Sequence, residues 1–490
     1  MACVCQGFAI QSLHQPAEIM KTHSQRLKTF LATSTVVATF LSSSLILSAA
    51  ANSANENWPQ WRGPLSTGVA PDANPPSNWS ETNNIKWKVK IPGNGNATPI
   101  IWGNQIFIQT AIATGKKVEG ATEKKPEATP AAADAPADNQ PRRRPGPPGG
   151  GMRSDKPDEK YQFVLLCLDR QTGKTLWQKV AREEVPHEGH HPDHGFSSYS
   201  PVTDGKYVIA YFGSRGIHCY DLQGNLKWSK DLGHMQTKMA FGEGSSPALF
   251  GDTIVVNWDH ESGSFIVALD KKTGNELWRQ PREEGTSWAS PIIVDYKGKP
   301  QVITDASNKI RSYDLATGKI IWECTGLTAN VIPSPVADQD TVYSMSGFKG
   351  NALLAIKLGH TGDLTGTDAI AWSHNKSTPY VPSPLLYGDK LYFFAGNNGM
   401  ISCFDTKSGK PLIDAERLED IKGVYASPAG AANRVYLAGR NGAVLVIKNS
   451  DKLEILATNK LDDEFGASPA IAGKELFLRG KESLYCISDK

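Results

Sequence analysis

His187-Glu188-Gly189-His190-His191-Pro192-Asp193-His194 places four of the chain's eleven histidines within eight residues. Neutral imidazoles beside carboxylates suit zinc, copper or another transition metal, so His187, His190, His191 and His194 are candidate ligands. Gly189 and Pro192 argue against a regular ligand helix, and the plain alternative is a polar loop facing solvent. Asn257-Trp258-Asp259-His260-Glu261 is a second cluster. There Asp259 and Glu261 can ligate calcium with carbonyl help, or Asp259 can orient His260 as a base. The following Glu261-Ser262-Gly263-Ser264 also has the composition of a hairpin tip. In Arg282-Glu283-Glu284-Gly285-Thr286-Ser287-Trp288, Arg282 can clamp a ligand carboxylate while Trp288 offers a stacking face. The ordinary reading of that stretch is a salt bridge between structural units beside a packing tryptophan.

These clusters must be held by a repeat. A Ser/Thr-Pro dipeptide opens a short apolar segment eight times, at Thr98, Ser200, Ser246, Ser290, Ser334, Ser383, Ser427 and Ser468. From Ser200 onward the spacings are 46, 44, 44, 49, 44 and 41 residues, a period that fits propeller blades. A second mark recurs in register. Asp169 runs through Thr172-Gly173 to Trp177, Asp221 leads to Trp228, Asp270 to Trp278 and Asp314 to Trp322, with weaker copies ending at Trp372, Ile413 and Ile455. Each copy reads as strand, tight turn, strand: Asp caps the turn backbone and Gly takes a positive φ. Tryptophans at one place in the repeat are expected to pack outer strands against neighbouring blades. The His cluster and Lys238 then fall in loops leading into the second and third blades, where either can face a central channel.

Trp87, within Ile85-Lys86-Trp87-Lys88-Val89, is an outer-strand tryptophan with no blade in front of it. Pro469–Ile471, Glu475–Leu478 and Leu484–Ile487 supply three strands and no fourth. Joining the two ends completes a blade and hides two sheet edges. The expected fold is all-β: an eight-bladed β-propeller of four-stranded antiparallel blades over residues 55–490, its ring closed by the N-terminal strand. A seven-bladed ring is the rival count, reached if the first repeat is irregular. Residues 111–160 are poor in large apolar side chains and carry Pro141-Arg142-Arg143-Arg144-Pro145, so they are expected to form a disordered low-complexity insertion in the first blade.

Residues 1–54 read as an upstream segment and signal peptide. Lys21, Arg26 and Lys28 precede the apolar stretch from Phe30 to Leu47, and Ala49, Ala50, Ala51 and Ala54 follow. Cleavage after Ala51 or Ala54 would give a soluble periplasmic or otherwise extracytoplasmic protein with no stable membrane span, although retention as an uncleaved anchor stays open. Cys167, Cys219, Cys324, Cys403 and Cys486 are too scattered for a disulfide framework and suit small buried positions. Without residues 1–54 the chain has 49 basic and 49 acidic side chains, so no nucleic-acid partner is expected.

With the Ser-Pro openings, the turns at Asp169, Asp270 and Asp314 and the Trp87 closure, the chain resembles the quinoprotein-like propellers built from pyrroloquinoline quinone repeats. It is most similar to exported repeat proteins of planctomycete-type bacteria, through the opening Asn57-Trp58-Pro59-Gln60-Trp61-Arg62-Gly63-Pro64, and more distantly resembles the propeller lipoprotein of the outer-membrane barrel assembly machinery. Cofactor-using members of the family are dehydrogenases that hold the quinone in the central channel beside calcium or another metal. What the resemblance carries over is the bladed scaffold: no Glu/Asn/Asp metal set or adjacent cysteine pair stands out, and Asp259, Arg282 and Trp288 are the candidate cofactor-binding residues only of a divergent site. Blade-building explains nearly all the distinctive residues. The expected function is therefore an exported, non-catalytic binding protein or envelope scaffold, with a cell-envelope protein or glycan as partner. The alternative is a quinone-dependent alcohol or sugar dehydrogenase with a divergent cofactor site. A metal-dependent hydrolase organised by the His loop is a third reading, for which no nucleophile can be named.

Overall fold

Proline has no N–H to give to a ladder, so a strand that opens with Ser-Pro belongs at a sheet edge. That is where all eight lie. In the computed structural model, which describes residues 56–118 and 155–489, the strand two residues after each Ser or Thr is the edge of its own sheet: Ile100–Trp102, Val202–Thr203, Ala248–Phe250, Ile292–Tyr296, Val336–Ala337, Leu385–Tyr387, Ala429–Ala431 and Ala470–Ala472. The described residues form eight sheets, seven of them four-stranded, which rules out the sevenfold count. The fourth blade gains a fifth strand, Gly362–Asp363, parallel to its outer strand Ile320–Cys324; the residues that lengthen the turn before Trp372 provide it. Two short 3-10 turns, Gly213–Arg215 and Lys238–Ala240, are the only helical elements among the described residues.

The inner edges are tied by hydroxyls. The amide of Thr98 donates to Ser200 Oγ at 2.9 Å. Ser200 donates to Ser246, Ser246 to Ser290, Ser290 to Ser334, Ser334 to Ser383, Ser383 to Ser427 and Ser427 to Ser468, all at 2.8–3.0 Å. Thr98 closes the circle by donating its own hydroxyl to the Ser468 carbonyl at 3.3 Å. A residue before proline is held extended, which presents its N–H sideways to the next blade.

The outer edges are tied by tryptophan. Trp87, Trp177, Trp228, Trp278 and Trp372 each donate the indole N–H to a carbonyl in the following blade's turn, at Arg170, Leu222, Lys271, Leu315 and Thr406. The turn glycine lets the ring come close. Gly173 has φ +70°, and a Cβ there would lie 2.8 Å from the Trp87 ring. Trp322 departs from the pattern, because the fifth blade lacks the turn, and its indole points to Gln301 at 3.2 Å instead.

Ring closure follows the expected swap. Ile85–Lys90 pairs antiparallel with Ser483–Ile487, with Trp87 opposite Cys486. The insertion begins later and ends earlier than its composition suggests. Gln105–Lys117 and Glu159–Asp169 pair as far as Lys117 opposite Glu159, and Ala111 is buried and bonded to Asn94, so residues 111–117 and 159–160 belong to the blade. A backbone ladder can extend through a polar stretch that composition alone reads as disordered. The core of the expected insertion and the expected signal peptide lie outside the described residues. All five cysteines among the described residues are free and buried, and burial pushes the Cys167, Cys219 and Cys403 thiols up to about 12.

Ser290→Ala keeps the extended backbone but strands the buried Ser246 amide. It should cost about 1–3 kcal/mol, measured as a lower urea midpoint with an unchanged slope; the exposed Ser262→Ala should leave the midpoint in place.

Candidate functional site

The residues two places before the ring hydroxyls are Asn96, Ser198, Gly244, Trp288, Ile332, Val381, Tyr425 and Gly466. All eight line one cavity of about 210 Å³ in the channel, together with ring serines 246, 290, 427 and 468. Each blade thus contributes one residue to a collar, six of them with side chains. Its floor is Trp61, from the opening segment, and His191, Asp193, His194, Phe241 and Tyr380 complete the wall.

The opening segment closes the other side of the ring. Its backbone contacts fall three residues beyond four of the ring hydroxyls: Trp58 bridges Ile101, Pro59 accepts from the Thr203 amide, Thr67 from Leu386, and Val69 bridges Gly430. Arg62 fixes it by donating to the carbonyls of Pro384 and Pro428 at 2.8 and 2.9 Å. With no carboxylate beside it, burial lowers the Arg62 guanidinium to about 9. The Trp-Pro-Gln-Trp-Arg-Gly segment is therefore a plug, with Trp61 toward the cavity.

The four candidate histidines are not gathered around one point. Among the described residues no group of three or more His, Cys, Asp or Glu is arranged to hold a metal. His187 Nε2 donates to the Met235 carbonyl at 2.6 Å, and its Nδ1 lies 3.5 Å from Arg215. His190 Nδ1 donates to the His191 carbonyl, and His191 Nδ1 accepts from the Asp193 amide. His194 Nε2 donates to the Glu243 carbonyl at 2.9 Å. Burial drops the His194 imidazole to about 4, so it is neutral at physiological pH. Nor is the loop a free polar excursion. It packs on the loop leading into the third blade, and Asp193 crosses to the seventh blade, taking bonds from Tyr425 Oη at 2.9 Å and Arg440 at 2.8 Å.

Asp259 and Arg282 meet, but only each other and the scaffold. Arg282 Nε and Nη2 donate to the two Asp259 oxygens at 2.7 and 3.0 Å, and Nη1 donates to Thr304 and Tyr313. Ser287 Oγ also donates to Asp259, and both charged side chains are fully buried. The ion pair lies within the third blade rather than between blades; Arg282 Nη1 ties it to the fourth, and four of the five guanidinium N–H donors are spent on the scaffold. Residues 259–264 do form the tip of the hairpin between Thr253–Trp258 and Phe265–Asp270, with Asp259 and His260 buried in it and Glu261–Gly263 exposed. Trp288 does present its side chain to the cavity, its indole donating to Gly242 at 2.7 Å. Lys238 reaches away, to Asn330 at 2.9 Å.

Folding brings together a Glu/Asn/Asp trio that the sequence does not announce. Glu243, Asn257 and Asp259 border a void of about 10 Å³, beside Tyr211. Glu243 accepts from Arg215 and Ser214, as Asp259 does from Arg282, so both carboxylates are already neutralised. A divalent cation does not fit that trio; the void has the size of one water. The collar is equally unsuited to a quinone bearing several carboxylates, since neither Lys nor Arg lines it.

Fold and collar define an eight-bladed propeller of the quinoprotein-like repeat class. The family model described as outer membrane protein assembly factor BamB matches residues 162–412, and the chain belongs to that family. Among solved structures, BamB from Moraxella catarrhalis is similar at 13% identity over 66% of this chain and 93% of its own, with a TM-score of 0.47. A quinohemoprotein alcohol dehydrogenase, ADHIIG from Pseudomonas putida HK5, is similar at 10% identity over 90% of this chain and 81% of its own, with a TM-score of 0.52. That second likeness is one of fold. No curated protein matches the chain.

The neutral His194 makes acid destabilising. Its folded value lies below the ordinary 6.5, so its contribution is fully present above about pH 6.5 and is lost as the pH falls toward 4. Between pH 7 and 5 the wild type should lose up to about 2 kcal/mol more than His194→Gln, read from urea unfolding at the two pH values.

Proposed function

We propose that this chain is a non-catalytic binding propeller of the cell envelope, acting as a scaffold rather than a dehydrogenase. The observation that carries the reading is the collar. Its one carboxylate, Asp193, is held by Arg440 and Tyr425, and the neutral His194 is bonded to a backbone carbonyl. The collar's one carboxylate is therefore not free to act as a general base. A closed ring gives rigid loops and blade faces, which suit recognition. Membership of the BamB family supports an envelope role and a protein partner. The export expected from residues 21–54 agrees with that location, and no helix among the described residues is long and apolar enough to cross a membrane.

Titration with pyrroloquinoline quinone and calcium, followed by dye reduction with alcohols and sugars, tests the reading. The expected result is neither stoichiometric uptake nor turnover. Stoichiometric binding with turnover would overturn it.

A further inference from the structure

The collar is not uniform around the ring. Blades one and two contribute Asn96 and Ser198, and the loop leading into blade two adds His191, Asp193 and His194. Blades four to seven contribute Trp288, Ile332, Val381 and Tyr425, with Tyr380 beside them. In an eight-membered ring these two sectors face each other, one polar and one apolar, above the Trp61 floor. The ring residues are nearly invariant from blade to blade, whereas the collar residues differ in every blade but the two glycines. A position freed from the repeat is where a ligand can set the choice.

The polar groups are of mixed sense. His194 donates through Nε2 to Glu243, which leaves Nδ1 as an acceptor; His191 accepts at Nδ1, which leaves Nε2–H as a donor. Ser246, Ser290, Ser427 and Ser468 spend their oxygens on neighbouring amides, and each keeps a hydroxyl hydrogen to donate. Donors beside acceptors suit hydroxyl groups, which do both, better than an anion, which only accepts. The volume of about 210 Å³ falls below the roughly 300 Å³ at which drug-sized sites begin, so it fits a single ring.

We propose that the collar cavity binds a neutral pyranose, its C–H face against Trp288 and the aliphatic sector and its hydroxyl edge toward Asn96, Ser198 and the two imidazoles. Aromatic faces bury the apolar side of such a ring, and the opposite wall pairs its hydroxyls, which would otherwise be left unsatisfied. This deepens the binding-protein reading and rests on it.

The test is titration of the intact protein with methyl α-D-glucopyranoside and N-acetylglucosamine, followed by tryptophan fluorescence and saturation-transfer NMR. Glucuronate, phenol and pyrroloquinoline quinone are run in parallel. Saturable binding of a neutral pyranoside is expected, weaker by about tenfold in Trp288→Ala and weakened also in His191→Ala, a half-exposed loop position. A thermal melt of each variant confirms folding. The inference is overturned if no neutral pyranoside binds saturably, if phenol or glucuronate binds more tightly, or if folded His191→Ala and Trp288→Ala bind as the wild type does. No sugar binding together with no quinone turnover would sink the pyranose while leaving the binding-protein reading intact. Quinone uptake with turnover would sink both.

Discussion

Every blade hangs from a hydroxyl. The innermost strand of a propeller blade has an unpaired edge facing the channel, and its opening N–H has no ladder partner. Here the N–H is given to the serine of the next blade, and the proline that follows removes the next donor. A buried amide left without a partner costs about as much as a lost hydrogen bond, so a break anywhere in the circle is felt by two blades. Thr98 is the one member whose hydroxyl works in the opposite sense, donating to the Ser468 carbonyl at the joint with the blade assembled from the two ends of the domain.

Tryptophans repeat that arrangement at the outer edge. With hydroxyls around the inner edge and indoles at five of the outer joints fixing blade to blade, the side chains just above the ring are outside the repeat and vary in chemistry from Asn to Trp. The plug supports them from below. Arg62 is buried without a counter-ion, which is costly unless its donors are met, and the Pro384 and Pro428 carbonyls meet two of them. Those carbonyls belong to the residues that follow ring serines, so the plug is anchored on the same ring that shapes the cavity.

Blade count, turns and ring closure were legible because each is written in residues that repeat. Trp87 without a preceding blade forces the swap as firmly as three unpaired C-terminal strands do. Contacts made once per molecule left no such trace. Asp259 and Arg282 lie 23 residues apart on one blade and read as two separate candidates, and only the register of their strands turns them toward each other. Asp193 finds Tyr425 across 232 residues, a pairing that no local pattern encodes. The collar was within reach of the sequence: counting two places back from each ring hydroxyl gives its eight members. Trp61 carries no such mark, since a segment that fills a channel has no period of its own.

If the hydroxyl circle holds the fold as one closed unit, its amides must open together. Hydrogen exchange at single-residue resolution on the amides of Thr98, Ser200, Ser246, Ser290, Ser334, Ser383 and Ser427 measures this directly. The account predicts that all seven exchange last, with one common protection set by global unfolding. Staggered exchange, with Thr98 and Ser427 beside the closing blade released early while the others stay protected, would contradict it.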